Sequence, residues 1–208
     1  MGITKMNKAL LAKLTGDIGQ LKQEVDLIDL SAKSLLMENE EHRGYLNAPA
    51  GVEQHKLLAY ASTFCSGSVI YDIGTFRGAS SLALSYNPDV RVISYNVEDQ
   101  RCVPNPPPNI EYKIGDFRKD PELLTSPFIL IDIAPHDGIL EQEFHEFFVE
   151  NNYEGIVLWD DIWQHGPPTI KHWWQQLSHP NIVTKLDLTE VGHMFDMGTG
   201  LTVYKPQK

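Results

Sequence analysis

The sequence is poor in cysteine and in positive charge. Its 208 residues include two cysteines, Cys65 and Cys102, which are too few for a disulfide scaffold or a cysteine-based zinc site. Lysine and arginine number 17 against 28 aspartates and glutamates, which gives a net charge of −11. A chain this acidic does not attract nucleic acid by its overall charge. We therefore expect no nucleic-acid partner.

Long apolar runs are also missing. No stretch approaches the ~20 residues that a membrane-spanning helix needs, and the first residues lack the apolar segment and cleavage site of a secretory signal. We therefore expect a cytoplasmic protein with no membrane partner. The hydrophobic share of 42% and the aromatic share of 10% nevertheless provide enough apolar side chains to fold around one main core.

The first 50 residues have a helical pattern. Apolar residues recur at intervals of three and four over residues 11–35, which indicates a helix, and Gly16 and Gly19, at about 1 kcal/mol each, permit a break. The stripe fits packing on the chain's own core or a coiled-coil seam of a homodimer. A polar segment, 38–43, and a turn-rich joint, 47–51, follow. We predict an N-terminal helical extension over residues 1–50.

Residues 51–208 alternate between helical and strand patterns. After a helix over 52–64, β-branched and apolar runs predict strands near 69–71, 90–95, 110–114, 128–131, 156–159, 182–188 and 200–204. Helical patterns fall over 79–84, 140–151 and 169–177. Strands that alternate with helices predict a doubly wound α/β fold with a mainly parallel sheet.

Polar residues follow each of the first five predicted strands. Ligands of such sheets bind beyond the carboxyl ends of the strands, and the residues at these ends are Asp72, Gly74, Thr75 and Gly78, then Asn96, Glu98 and Asp99, then Asp116 and Phe117, then Asp132, and finally Asp160 and Asp161. The glycine spacing is not that of a dinucleotide-binding loop. The residues either form a binding site for another ligand or merely cap helices and turns.

The series resembles the class I S-adenosylmethionine-dependent methyltransferases over roughly residues 52–204. The resemblance rests on Asp72-Ile73-Gly74-Thr75-x-x-Gly78, the acids after the second strand, Gly115-Asp116 and Asp160-Asp161. It implies a Rossmann-like seven-stranded sheet whose last strand is antiparallel, with S-adenosylmethionine as the cofactor. The residues implied to contact the cofactor are Asp72, Gly74, Thr75 and Gly78 at its methionine part, Asn96 or Glu98 at its ribose, Asp116 and Phe117 at its adenine, and Asp132.

Asp132, Asp160 and Asp161 are also candidate metal ligands. They follow strands expected to be adjacent, and oxygen ligands suit Mg²⁺ or another hard divalent cation such as Ca²⁺. The arrangement is similar to that of cation-dependent catechol and caffeoyl-type O-methyltransferases, and the double Asp also resembles that of macrolide-sugar methyltransferases. Alternatively, the paired acids only orient a helix or a substrate hydroxyl.

Histidines are the candidate catalytic bases. The lysine base of the catechol and caffeoyl-type enzymes is missing after Asp132, where His136 can replace it, because imidazole accepts a proton near neutral pH. His165 follows the fifth strand and is the second catalytic candidate, and His193 precedes the last strand.

The resemblance therefore implies O-methylation of a small-molecule hydroxyl of a phenol, catechol or sugar-like compound. Two alternatives remain. One is a metal-dependent oxygenase-type tailoring enzyme on the same scaffold. The other is a non-catalytic dimeric binding or scaffold module that assembles through its N-terminal helices.

Overall fold

The computed structural model describes residues 5–164, 169–194 and 196–206. Its helices are α1 Lys5–Leu14, α2 Ile18–Asp26, α3 Ser31–Ser34, α4 Glu40–Leu46, α5 His55–Ser62, α6 Ala79–Leu84, α7 Ile139–Glu150 and α8 Ile170–Gln176. Its strands are β1 Val69–Ile73, β2 Arg91–Asn96, β3 Ile110–Ile114, β4 Phe128–Ile131, β5 Gly155–Asp160, β6 Ile182–Asp187 and β7 Thr199–Tyr204. Two short 3-10 helices, Phe117–Lys119 and Leu123–Thr125, lie between β3 and β4. None of the helices described is long and apolar enough to span a membrane.

The strands form one seven-stranded sheet in the order β3-β2-β1-β4-β5-β7-β6. The first five strands are parallel to their neighbours, whereas β7 is antiparallel to both β5 and β6. The prediction of a Rossmann-like, doubly wound and mainly parallel sheet with an antiparallel last strand is confirmed. In this topology the carboxyl ends of the five parallel strands meet at one edge, where ligands bind.

Helices cover both faces of the sheet. Side chains alternate between faces along a strand, so Leu158 of β5 belongs to the core cluster that contains α1, α2, α5 and α6 side chains. The next residue, Trp159, belongs to the cluster that contains α7 and α8 side chains. Residues of β4 and β5 are buried along their whole length, which explains why their sequences are continuously apolar.

The N-terminal residues do not form one long helix. The stripe over 11–35 is divided among α1, α2 and α3, and the break falls at Gly16, after which Asp17 caps α2 by accepting a hydrogen bond from the Gln20 amide. Leu35, which belongs to the predicted stripe, is 73% exposed. Helix α4 was not predicted, because its sequence is mostly polar and the Asn39 side chain starts it by accepting from the His42 amide.

The buried part of the stripe packs on the chain's own core. Leu14, Leu21 and Val25 lie in the same cluster as Leu57 and Leu58 of α5. The core is therefore continuous across residue 50. A homodimer through the N-terminal helices stays a prediction.

Candidate functional site

The turn after β1 is held between the two neighbouring strands. The amides of Gly74 and Thr75 both donate to the carbonyl oxygen of Tyr95 in β2, at 2.9 and 3.0 Å. Gly74 has a φ of 106°, and a Cβ atom there would lie 1.5 Å from the carbonyl oxygen of Asp132. No other residue fits this position, since both the backbone conformation and the space exclude a side chain. Gly78, with a φ of 93°, precedes the first residue of α6.

Asp72 lies beneath this turn. Its side chain is fully buried, and Ser94 Oγ donates to its Oδ2 at 2.6 Å while Ser94 Oγ also contacts Thr75 Oγ1 at 2.6 Å. Burial raises the pKa of the Asp72 carboxyl to about 6, against the effect of hydrogen bonds from Ser94 and Ser80. Through Ser94, the buried Asp72 side chain therefore connects β1 to β2 and to the turn that contains Thr75.

The residues after β2 differ in how their side chains are engaged. Asn96 Oδ1 accepts a hydrogen bond from the Val97 amide at 3.0 Å, and Asp99 is paired with Arg101 at 2.5 Å. Glu98 is exposed and contacts the side-chain amide of Gln100. The Glu98 carboxylate therefore lies on the surface, and it forms no salt bridge with any residue that the structure describes.

Asp116 and Phe117 follow β3. The Asp116 carboxylate accepts hydrogen bonds from the backbone amide and the guanidinium of Arg118, which lowers its pKa. The Phe117 ring is 4% exposed and packs edge-on against Phe144, with ring centroids 4.7 Å apart. Phe117 thus forms part of the core beneath the sheet edge.

Acids and histidines converge after β4 and β5. We call Asp132, Asp160, Asp161, His136, His193 and Glu53 the acid–histidine cluster. His193 Nδ1 lies 3.4 Å from Oδ1 of Asp160 and 3.4 Å from Oδ1 of Asp161, and His193 Nε2 lies 3.4 Å from Oε2 of Glu53. His136 Nε2 lies 3.4 Å from the other carboxylate oxygen of Asp161. Asp161 therefore lies between two imidazoles.

Burial and mutual repulsion shift the pKa values of the acids in this cluster. Burial, with added repulsion from Asp160 and Asp161, raises the pKa of Asp132 well above its ordinary value. Burial and the charge of Asp161 also raise the pKa of Asp160, against the effect of His193. Burial alone would lower the pKa of His193, but the carboxylates of Asp160, Asp161 and Glu53 outweigh it and raise that pKa to about 11.

The backbone is unusual at two positions of the cluster. His136 has a φ of 56° and Asp161 a φ of 58°, values in the left-handed region that residues with a Cβ atom rarely adopt. Such conformations cost about 1–3 kcal/mol each and are concentrated at functional sites. They turn the chain sharply at the carboxyl ends of β4 and β5, where the two side chains meet.

The donor set of this cluster fits a metal ion. In the part of the chain that the structure describes, Asp160, Asp161 and His193 each offer one ligand atom, and these three atoms all lie within 4.8 Å of one another. Oδ1 of Asp160, Oδ1 of Asp161 and Nδ1 of His193 are buried and have no hydrogen-bond partner among the described residues. Nδ1 of His193 faces both carboxylates only as an ion pair at 3.4 Å, and a bound cation would replace this pairing and take all three atoms as ligands.

The three converging ligand atoms do not all come from the three predicted metal ligands. Burial and the charges of Asp160 and Asp161 raise the pKa of Asp132, but Asp132 is not among the three residues whose ligand atoms converge. His193 provides the third ligand atom instead, and Glu53 contacts the other ring nitrogen of His193. Glu53 was missed because an isolated acid before a helix carries no local signal; packing of the N-terminal segment brings it to His193. The second predicted base, His165, lies outside the described residues.

Comparisons with known proteins identify the fold. No protein-family model matches the chain, and no curated protein matches it. The O-methyltransferase TomG from Streptomyces achromogenes, solved with SAM, superimposes with a TM-score of 0.55 at 17% identity over 89% of this chain and 99% of its own. An O-methyltransferase from Bacillus cereus, solved with SAH, gives 0.55 at 16% identity over 91% and 100%.

A SAM-dependent O-methyltransferase from Thermotoga maritima gives a TM-score of 0.53 at 10% identity, over 74% of this chain and 65% of its own. At these identities the likeness establishes the fold. The chain has a class I O-methyltransferase-like fold, as the resemblance in sequence implied.

Proposed function

We propose that the chain is an S-adenosylmethionine-dependent methyltransferase that methylates a hydroxyl group of a small molecule, such as a phenol, a catechol or a sugar-like compound. The observation that carries the proposal is the contact between the two parts of the site. The carbonyl oxygen of Asp132 lies against Gly74, so the turn expected to hold the cofactor and the acid–histidine cluster meet at the carboxyl edge of β1 and β4.

The residues at this edge suit a ligand with positive charge and a ribose. When bound, S-adenosylmethionine would supply an electrophilic methyl group on a positively charged sulfur. The acids at the ends of β4 and β5 favour such a cation over an anion. Glu98, whose carboxylate is exposed, is the group that we expect to accept hydrogen bonds from the ribose hydroxyls, in preference to Asn96, whose Oδ1 is occupied by the Val97 amide.

His136 is the residue that we expect to accept the proton of the substrate hydroxyl. Its side chain is 14% exposed and its Nε2 faces Asp161 at 3.4 Å, so it is both reachable from solvent and held in place. General-base catalysis of this kind contributes about 10²–10⁴-fold, and alignment of the two reactants can contribute a further ~7–11 kcal/mol. The left-handed backbone at His136 places the residue at the sharp turn after β4.

A divalent cation is a further part of the proposal. Asp160, Asp161 and His193 would hold it, and when bound it would stabilise negative charge on the substrate oxygen. Asp132 is buried and lies close enough to Asp160 and Asp161 for their charges to raise its pKa further, so a bound cation would also favour its ionised form. The three buried ligand atoms of Asp160, Asp161 and His193, which lack hydrogen-bond partners among the described residues, support a cation at this position.

Methyl transfer to a panel of phenols, catechols and sugars tests the proposal. We expect transfer to at least one class, a loss of about 10²-fold or more in kcat with His136→Gln, and a large loss with Asp160→Asn or after treatment with EDTA. His172→Gln is the matched control, because His172 is exposed and contacts Gln176 on the surface of α8. Full activity of His136→Gln would remove His136 as the base, and full activity of Asp160→Asn with EDTA would remove the cation.

One observation favours a second candidate function. Two imidazoles flank the carboxylates of Asp160 and Asp161, and sites that mix histidine with carboxylate also bind iron in oxygenases. Oxygen consumption that depends on Fe²⁺ and on His193, without methyl transfer to any acceptor, would favour the metal-dependent oxygenase.

A further inference from the structure

The three converging donors of the acid–histidine cluster are not all oxygen atoms. His193 Nδ1 is 3.4 Å from one oxygen of Asp160 and 3.4 Å from one oxygen of Asp161, and the two acids are 5% and 6% exposed. None of these three atoms has a hydrogen-bond partner within the described ranges. The site is therefore a buried mixed set of two carboxylates and one imidazole.

Glu53 provides a second and independent observation. Its Oε2 lies 3.4 Å from Nε2 of His193, the ring nitrogen that faces away from Asp160 and Asp161. A histidine that ligates a metal commonly donates its other ring N–H to a carboxylate, which fixes the tautomer and aims the free lone pair at the metal. Without a metal, His193 is the positively charged partner of these acids. When a metal ion is bound, a proton kept on Nε2 and directed at Glu53 would leave the lone pair of Nδ1 free to ligate the metal beside the two aspartates.

We infer that the cation site prefers a transition-metal ion, such as Co²⁺ or Zn²⁺, to Mg²⁺, with His193 as a nitrogen ligand and Glu53 as the positioning residue that holds it. The inference rests on the cation of the proposed function and specifies its chemical class. It departs from the hard cation that the aspartates alone predict.

The chemistry of the ligands gives the reason for the preference. Mg²⁺ is small, binds oxygen donors in nearly ideal octahedral geometry and keeps several of its waters. Imidazole nitrogen suits zinc, iron, nickel and copper, whereas sites of carboxylate and carbonyl oxygen suit magnesium, calcium and manganese. A site in which one of three buried donors is an imidazole nitrogen should therefore bind a transition-metal ion more tightly than Mg²⁺.

Direct binding of metal ions tests the inference without any assay of activity. The full chain, stripped with a chelator, is titrated separately with Co²⁺ and Mg²⁺ by calorimetry, and the cobalt-loaded protein is examined by X-ray absorption at the cobalt edge. We expect Co²⁺ to bind with one equivalent and at least roughly tenfold more tightly than Mg²⁺, and we expect imidazole scattering in the wild-type spectrum.

Two variants and a control connect the result to the named residues. We expect Glu53→Gln to weaken Co²⁺ binding by about 10–100-fold, the usual effect of losing such a supporting carboxylate, and His193→Gln to weaken it at least as much and to remove the imidazole scattering. His172→Gln, whose histidine is exposed on α8, should bind Co²⁺ like the wild type. The wild-type spectrum decides the ligand even where His193→Gln does not fold.

The inference is overturned where Mg²⁺ binds as tightly as Co²⁺, where neither ion binds, or where the cobalt spectrum lacks imidazole scattering. In the last two cases His193 acts as a positively charged partner of the acids rather than as a ligand. Calorimetry with S-adenosylhomocysteine on the same preparations separates the two proposals. Cofactor binding without a metal preference rejects this inference alone, whereas a metal preference without cofactor binding rejects the methyltransferase.

Discussion

At the scale of single residues, the sheet edge concentrates groups that cost free energy to bury. Asp72, Asp160 and Asp161 are all more than nine-tenths buried, and each has one carboxylate oxygen without a hydrogen-bond partner in the described part of the chain. Burying a carboxylate costs several kcal/mol unless it is well paired, and Asp160 and Asp161 are paired with histidines only at 3.4 Å. Residues of this kind that a fold nevertheless tolerates commonly mark functional sites.

Asp72 predicts a specific dependence of stability on pH. Its pKa is raised to about 6 in the folded state from ~3.9 in an unfolded chain, so the folded state binds the proton more tightly. The stabilisation that this protonation provides is complete below about pH 4 and is lost as the pH rises through 6, a loss of up to about 3 kcal/mol.

We therefore expect Asp72→Asn, which stays neutral, to be more stable relative to the wild type at pH 7.5 than at pH 4.5. Urea unfolding of both proteins at the two pH values measures the change. The contributions of acids common to both proteins largely cancel in this comparison. A difference in free energy of unfolding that is the same at both pH values would contradict the raised pKa.

Gly74 predicts a large effect of adding one methyl group. A Cβ atom there would overlap the carbonyl oxygen of Asp132, so Gly74→Ala forces β1 and β4 apart, and we expect a loss above ~3 kcal/mol in free energy of unfolding. Gly67 is the matched control, because its φ of 73° is also positive but no atom lies within 4 Å of its Cβ position. Gly67→Ala should cost only the backbone strain, about 1–2 kcal/mol. Equal losses in chemical unfolding would show that crowding at Gly74 is unimportant.

At the scale of elements, the N-terminal helices are part of the core that supports the site. Leu21 and Val25 of α2 pack in the cluster that contains Leu57 and Leu58 of α5, and Glu53 lies just before α5. The position of Glu53 against His193 therefore depends on the packing of these helices, and their loss would disturb the site as well as the fold.

A pair of leucines tests this role of α2. Leu21 is 3% exposed, whereas Leu27, which directly follows the last residue of the same helix, is 84% exposed. We expect Leu21→Ala to lower the free energy of unfolding by about 2–5 kcal/mol and Leu27→Ala to change it by less than ~0.5 kcal/mol. Thermal and urea unfolding measure both. A small effect of Leu21→Ala would mean that α2 is an appendage that contributes little to the core.

The sheet was predictable from the sequence because its signals are local. Continuous apolar runs and turn residues predict the ends of β4 and β5 to within one residue. Asp160 and Asp161 are consecutive residues at the end of β5, so both could be assigned to the carboxyl edge of the sheet. Helix α4 and Glu53 could not, because α4 is mostly polar and Glu53 reaches His193 only through packing of distant segments. His193 was named as a candidate, but its contacts with two aspartates depend on the connection between β6 and β7.

At the scale of the whole molecule, topology and charge act together. The parallel order of β3, β2, β1, β4 and β5 brings five strand ends to one edge, and each of these ends carries acids or a glycine turn. The chain's net charge of −11 adds a negative field that attracts cations. We therefore expect this edge to suit a sulfonium cofactor and a divalent metal ion, both of which are positively charged.

The binding of the cofactor product tests the central claim most directly. We expect S-adenosylhomocysteine to bind the purified chain with one equivalent in isothermal titration calorimetry. We expect Glu98→Ala, which removes the proposed ribose contact, to weaken that binding by about tenfold or more, equivalent to ~1.4 kcal/mol. Glu122→Ala, which removes an acid paired with Arg91 on the surface, should bind like the wild type. Absence of any binding heat at several temperatures, with the protein folded, would contradict the account.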